Sequence, residues 1–483
     1  MAQTLGPVAA LLLGVFFLVT GSGLQNTLLP LRGAFEGFSA INLGILGSSY
    51  YLGFVVGCLA VPHLVRRTGH IRAFAALTSG VVAMMMAHPL FVDPLFWFVL
   101  RAITGFCFAG LYLVIESWLN DRATNQTRGF VMSAYVIVDY AALTAGQMMI
   151  TLYPVRSFDL FAIAAILFSL ATLPVAIASS SQPAPIETAR IRLPRLFKAA
   201  PVAMVGCFVI GLTNGSLWSL GPIFGIGRGM TADGAATFMS AVVVAGALAQ
   251  WPIGYFSDRM DRRRILAALL VGAMLAGLAL GALPFGLLGL AVIGMFYGAL
   301  SLPAYSLAAA HAYDRTAPSE AVETAAGLLL LYGIGSVIGP ALASLGMQHY
   351  GPGALFFFTA GAYLLLLVFV LWRIFVRERR RQIDIKSEPI ASAATGTVPR
   401  PEKERRDKAR PEPTLSRLRR WRRASTPAAP AAPARPAASS PASPALQSGD
   451  AKPADERPAD EKLDDAKPRD SFPTAQDGRS DGA

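Results

Sequence analysis

Cysteine and histidine are scarce in this chain, with 3 and 5 residues respectively among 483. Cys58, Cys107 and Cys207 each fall inside an apolar run, at no metal-ligand spacing. That argues against a disulfide framework and a metal site, and they read as small buried hydrophobes. No Ser/His/Asp or His/Glu constellation forms around the five histidines. His63, His70 and His311 read as membrane-interface residues, and His88 and His349 lie near the opposite loops. The phosphate-cradling loop G-x-x-x-x-G-K-[ST] is absent, which argues against ATP hydrolysis. The chain reads as a non-enzyme with no catalytic residue, no metal and no cofactor.

Charge is also thin, at 15% of residues, against 54% hydrophobic. Up to Val376 those hydrophobic residues form continuous runs that no globular core could cover. A bilayer core of about 30 Å needs about 20 apolar residues per helix. Twelve runs meet that length: about 7–30, 41–65, 72–92, 95–118, 129–151, 158–178, 201–224, 235–256, 264–282, 285–312, 322–346 and 353–376. Pro and Gly within them are ordinary in membrane helices. The stretch before Leu11 lacks a basic region and no A-x-A-like site follows, so Leu11 to Thr20 reads as part of the first span rather than a signal peptide.

The few charges that remain set an orientation. Even-numbered breaks between spans carry Arg66, Arg67 and Arg72, then Arg122 and Arg128, then Arg190, Arg192, Arg195 and Lys198, then Arg259, Arg262, Arg263 and Arg264, then Arg315. Odd-numbered breaks carry one Arg each (Arg32, Arg156, Arg228) or none. Basic residues mark the cytoplasmic side, so both termini are expected there, as an even number of spans requires. The net charge of +12 divides equally: residues 1–376 hold 19 Lys and Arg against 13 Asp and Glu, and the rest hold 23 against 17. Such a pattern orients a membrane protein and gives no footprint for nucleic acid. The expected partner is the lipid bilayer, and the expected working unit is a monomer.

Four segments follow from composition. Residues 1–178 and 201–376 hold six spans each, and 179–200 is a connector beginning S-S-S-Q-P-A-P. Residues 377–483 open on basic residues and become rich in Pro, Ala and charge, a composition that cannot bury a core and reads as a disordered cytoplasmic tail. Within that tail Leu415, Leu418 and Trp421 recur at near-helical spacing among arginines. They suit either a surface helix on an anionic leaflet or a plain basic stretch.

A loop motif occurs twice, after spans 2 and 8. The second copy, Gly254 to Arg264, reads G-Y-F-S-D-R-M-D-R-R-R, and the first, Pro62 to Arg72, reads P-H-L-V-R-R-T-G-H-I-R. One motif repeated at corresponding places in two six-span halves points to a repeated helical transporter. Two charged residues lie within spans. Arg101 is a turn or more inside span 4, where it either faces a cavity or partner, or snorkels to the interface. Asp139 sits near the middle of span 5 with no basic neighbour in sequence, which makes it a candidate to exchange a proton during a transport cycle. Its alternative is a neutral packing role. Gly335 and Gly339 on span 11 are four apart and precede Pro340, a pattern that lets helices approach closely.

From about residue 7 to 376 the chain resembles the major facilitator superfamily, and within it the YcaD-type branch of bacterial permeases. The resemblance rests on the loop pattern G-x-L-x-D-R-x-G-R-R, matched by Gly254, Asp258, Arg259, Arg262 and Arg263, with Asp261 in place of the second glycine. The first copy keeps Arg67 and Gly69 but has Pro62 and Arg66 for the first glycine and the acid. Arg101 and Gly105 resemble the R-x-x-x-G motif of span 4. The resemblance implies an all-α fold of twelve transmembrane helices in two six-helix repeats. It implies that the loop motifs are gates, with Glu116 and Asp314 as the acids at the neighbouring span ends. It also implies a central cavity lined by spans 1, 4, 7 and 10, with Gln25, Asn26, Tyr112, Asn214, Trp218, Tyr297 and Tyr305 as candidate contacts. Asp139, Arg101 and Glu116 are the candidate proton-coupling residues, and the resemblance does not extend to Asp139. The expected function is secondary active transport of a small-molecule substrate by alternating access across the bacterial inner membrane, coupled to protons. A facilitated uniporter and a non-transporting membrane sensor or scaffold are the alternatives.

Overall fold

A computed structural model of the chain describes residues 2–122, 127–177, 192–317 and 320–394. Among these, twelve helical segments are long and apolar enough to cross a membrane. The first six are α1 (Ala2–Phe35), α2 (Ala40–Thr68), α3 (His70–Ala87), α4 (Pro94–Arg122), α5 (Arg128–Met148) and α6 (Asp159–Ile177). A short α7 (Leu193–Ala199) lies in the connector. The second six begin with α8 (Pro201–Gly227), α9 (Ala232–Ser257) and α10 (Arg262–Ala282). They continue with α11 (Leu287–Ser301) and α12 (Ala304–Tyr313), which make one span, then α13 (Ala321–Tyr350) and α14 (Ala354–Ala394). All twelve runs expected from hydropathy are therefore helices. The tenth is broken at Leu302 and Pro303, where the proline ring removes a backbone donor. Pro62, Pro174, Pro222, Pro252 and Pro340 are held inside their helices without a break.

Short polar caps make the reversals. Ser39 accepts a hydrogen bond from Asn42 N at the start of α2, Asp93 from Phe96 N near the start of α4, and Thr231 from Gly234 N at the start of α9. Each satisfies a helix-end donor that lipid or packed protein would leave orphaned. Gly69 joins α2 to α3 at φ +81°, a left-handed conformation that favours glycine, and donates its N–H to Val65 O.

The packing of the first six spans recurs in the last six. In the first half α1 packs on α5 and α6, α2 on α4, and α3 on α4 and α6. In the second half α8 packs on α13 and α14, α9 on α11, and α10 on α11 and α14. Glycines mark the close crossings: a Cβ at Gly53 or Gly105 would run into backbone across the α2–α4 pair, and one at Gly298 would do so at α9–α11. Gly335 and Gly339 likewise press on the backbone of α8 at Phe208 and Leu212, as their four-residue spacing predicts. Two buried apolar clusters result, one built mainly from α1–α6 and one mainly from α8–α14.

The halves meet at the end away from the basic loops. Near that end Gly44 of α2 abuts Ser344 and Pro340 of α13, Gly47 of α2 abuts Ser219 of α8, and Ser240 of α9 donates to Gln147 of α5 at 3.2 Å. Arg32, Arg156 and Arg228, the isolated arginines of that end, serve as clamps there. Arg32 bonds the carbonyls of Val155 and Arg156, Arg156 bonds that of Phe35, and Arg228 bonds those of Leu280 and Gly281. The last helix runs beyond Val376 to Ala394, past the end of its apolar stretch. The tail from residue 395, including Leu415, Leu418 and Trp421, lies outside the described residues.

Candidate substrate cavity and gate

Between the halves lies a cavity of about 210 Å³. Its wall takes Asn26 from α1, Tyr50, Tyr51 and Phe54 from α2, Arg101 and Tyr112 from α4, Asp139 from α5, Trp218 from α8 and Tyr332 from α13. The side chains converge because each helix turns its polar or aromatic stripe inward. Lipid offers a polar group no partner, whereas the seam between two bundles can.

Arg101 is only 7% exposed. Its Nη2 donates to Asn26 Oδ1 at 3.3 Å, and its guanidinium carbon lies 4.4 Å from the centre of the Tyr50 ring. A cation on an aromatic face gains about 2 kcal/mol where water is excluded. Its Nε and Nη1 are buried with no hydrogen-bond partner among the described residues, and no carboxylate there pairs with it. Of the two sequence readings for this arginine, the structure shows the cavity position and not the interfacial one. Asp139 also lines the cavity, and its Oδ1 is buried without a partner among the described residues. Glu116 stands one turn beyond Tyr112 on α4, toward the basic end, and is exposed.

The remaining cavity candidates divide. Asn26, Tyr112 and Trp218 are on the wall, and Tyr305 sits beside it, its ring edge-on to Tyr332 at 5.0 Å. Gln25 is fully buried off the wall and Asn214 is buried, and among the described residues neither Gln25's amide atoms nor Asn214 Oδ1 has a hydrogen-bond partner. Tyr297 is 1% exposed and packs on Phe356 and Tyr363 inside the second half, away from this cavity. Membership of a cavity-lining span placed Tyr297 and Gln25 among the candidates, but a helix has several faces and only one meets the seam. Sequence reasoning missed Tyr50, Tyr51, Phe54 and Tyr332, because α2 and α13 were not assigned to the wall. The aromatic run Tyr50, Tyr51 and Phe54 was the available signal.

The candidate gate residues of the second loop motif gather at the basic end. Arg262 is a hub: its Nε donates to Asp314 Oδ2 at 2.6 Å, its Nη1 to Ser257 Oγ at 2.8 Å and its Nη2 to Asp258 Oδ1 at 3.2 Å. Three helix ends of the second half (α9, α10 and α12) are tied by one side chain. Asp261 caps α10 by accepting from Arg263 N at 2.9 Å, and Arg263 also forms an ion pair with it. That hydrogen-bonded pair holds the Asp261 carboxyl down at about 2. Its place in the loop pattern belongs to a glycine, and the cap is the physical use this chain makes of the change. Arg259 stacks on Tyr255, 3.5 Å from the ring centre, and a Cβ at Gly254 would meet open space. Asp258 is 69% exposed at its side chain. The motif face of α9 is thus uncovered at this end, while α5 and α9 still touch farther in through Tyr140 and Gln250 at 3.1 Å. In the first copy Arg67 is exposed beside Gly69.

The connector adds ties that sequence reasoning missed. Arg192 pairs with Glu323 at 2.7 Å, and Arg195 with Glu320, so the chain leading into α7 is fastened to the start of α13.

Comparison with known proteins agrees with this architecture. The family model described as Major Facilitator Superfamily matches residues 11–331. An MFS-type transporter of Enterobacter sp. (strain 638) is 30% identical over 371 residues, covering 76% of this chain and 95% of that protein. The MFS-type transporter YcaD of Escherichia fergusonii is 27% identical over 367 residues, with the same coverage. Among solved structures, a variant of the nucleoside transporter NupG superposes with a TM-score of 0.67 at 15% identity, covering 76% of this chain and 99% of its own.

Proposed function

The chain belongs to the major facilitator superfamily and is a multi-pass membrane transport protein, and from that premise we propose that it is a secondary active transporter moving a small solute by alternating access, coupled to protons. The observation that carries the reading is the cavity at the seam of two repeats, lined by a buried arginine and by a half-buried acid, neither in an ion pair among the described residues. A rigid pair of bundles with a site between them changes access by rocking. Contacts between the halves near the end away from the basic loops, and the uncovered motif face of α9 at the basic end, fit one extreme of that motion.

The basic loops face the cytoplasm in this reading, with the protein in the bacterial inner membrane and both termini inside. Asp139 carries the coupling proton, since a carboxyl at this depth, in no ion pair among the described residues, is costly to keep charged and suits taking up and releasing a proton as access changes. Arg262, Asp258 and Asp314 belong to the switch, and the solute site belongs to the cavity wall.

Leu329→Cys in a cysteine-free chain puts one thiol on the cavity wall. An impermeant maleimide should label it from both faces of the membrane, and Arg262→Ala should change the ratio of the two. Labelling from a single face, unaltered by the gate variant, would leave a fixed sensor or scaffold as the better description.

A further inference from the structure

We infer that the solute is a small organic anion with an apolar or aromatic body, its anionic group seated on Arg101; this deepens the transport reading and rests on it. A guanidinium carries five N–H donors in a planar fork. Here one hydrogen bond to Asn26, at the long end of the range, is the engagement shown, and Nε and Nη1 are buried and empty-handed among the described residues. Burying a charge costs several kcal/mol unless a partner repays it. The other ion pairs of the described residues lie at the two ends of the bundle, from Arg32–Glu36 to Arg262–Asp314. None reaches Arg101.

Asp139 shares the cavity but forms no ion pair with Arg101, and its own Oδ1 has no hydrogen-bond partner among the described residues. The arginine is therefore a fixed positive charge on the wall of a solute-sized space. A planar carboxylate, or a phosphate or sulfonate, completes the fork with two parallel bonds. A cation would meet repulsion there, and a neutral solute would leave the charge unpaired.

The rest of the wall defines the other half of the solute. Tyr50, Tyr51, Phe54, Trp218 and Tyr332 present rings, and Leu143 and Leu329 present aliphatic surface. Such a lining binds an apolar body while a few polar groups fix its orientation. The Tyr50 ring lies 4.4 Å from the guanidinium carbon and accepts no hydrogen bond from Nε or Nη1, which stay available to the anion. Asn26, bonded to both Arg101 and Ser22, holds the group in position.

The test uses the full purified chain and three probes of one shape and different charge: benzoate, benzamide and benzylamine at equal ionic strength. A ligand of the folded state raises the unfolding midpoint. Benzoate should raise it by about 2 °C or more, and benzamide and benzylamine should not. Arg101→Lys should weaken the benzoate shift and Arg101→Gln should remove it. Equal or larger shifts with benzylamine or benzamide, no shift with benzoate, or a benzoate shift that survives in Arg101→Gln would each overturn the anion assignment. The comparison among probes on the unaltered chain stands even if a variant misfolds. Flux of the same probes in proteoliposomes separates this inference from the transport reading. Arg101-dependent binding of benzoate without flux would sink transport and keep the anion site. Flux of benzylamine and not of benzoate would sink the anion site and keep transport.

Discussion

Asp139 and Arg101 stand on one cavity wall without forming an ion pair, and this gives each a separate experiment. Asp139→Asn fixes the neutral form. Transport driven by an imposed pH gradient should be lost, while exchange of solute down its own gradient survives, because the cavity and the rocking of the two bundles remain. Vesicle flux with and without the gradient reads the difference, and full gradient-driven transport in the variant would remove Asp139 from the mechanism in favour of Glu116. Asp261 is a different kind of acid, outside the spans and held at about 2 by Arg263. Its folded value lies below the ordinary 3.8, so its contribution is complete above about pH 4 and fades as pH falls toward 2. Asp261→Ala should cost about 1 kcal/mol through the lost cap. Acid unfolding followed by intrinsic fluorescence should show a flatter slope over that window, and an unchanged curve would deny the cap any energetic role.

At the scale of elements, the turn between α9 and α10 is held by Arg262 together with the end of α12. The Arg262–Asp314 pair is partly open to solvent, so its worth to stability is about 1 kcal/mol or less. Its position at three helix ends is what matters. Arg262→Ala should insert and purify normally, with a midpoint within a few degrees of the parent, yet transport more slowly. A large loss of stability with parental flux would show a structural tie and no gate. The connector makes a second element-scale case. Glu320→Gln with Glu323→Gln removes both carboxylates that fasten Arg192 and Arg195. Limited proteolysis should then cut ahead of α7 sooner than in the parent, and equal cutting times would mean that the two pairs do not restrain the segment.

For the whole molecule, closure at the end away from the basic loops is a state that can be trapped. Gln147 and Ser240 touch across the seam at 3.2 Å. Cysteines at both positions in a cysteine-free chain should join readily with a short thiol cross-linker. The joined protein should stop moving solute and recover on cleavage of the link. Continued transport with the link intact would mean that the halves do not part there. The same scale shows what the arginines of that end do: Arg32, Arg156 and Arg228 cap loops by bonding carbonyls.

The sequence by itself determined the twelve spans and the twofold repeat, and it named the candidate gate ions, because each is written in local or periodic terms. Apolar length sets a span, a repeated loop motif sets a repeat, and Asp314, an acid at a neighbouring span end, is bonded to Arg262. The spacing of Gly335 and Gly339 likewise told of a close crossing. Only the tertiary structure decided which faces of the spans meet at the seam. Rotation of a helix about its axis depends on its packed neighbours. That is why Tyr297, on a span expected to line the cavity, is packed inside its own half, and Gln25, on another, is buried off the wall. Tyr50, Phe54 and Tyr332, on spans not expected there, form much of the wall. The unpaired state of Arg101 was likewise invisible in the sequence, since a partner 40 or 200 residues away is set by the fold.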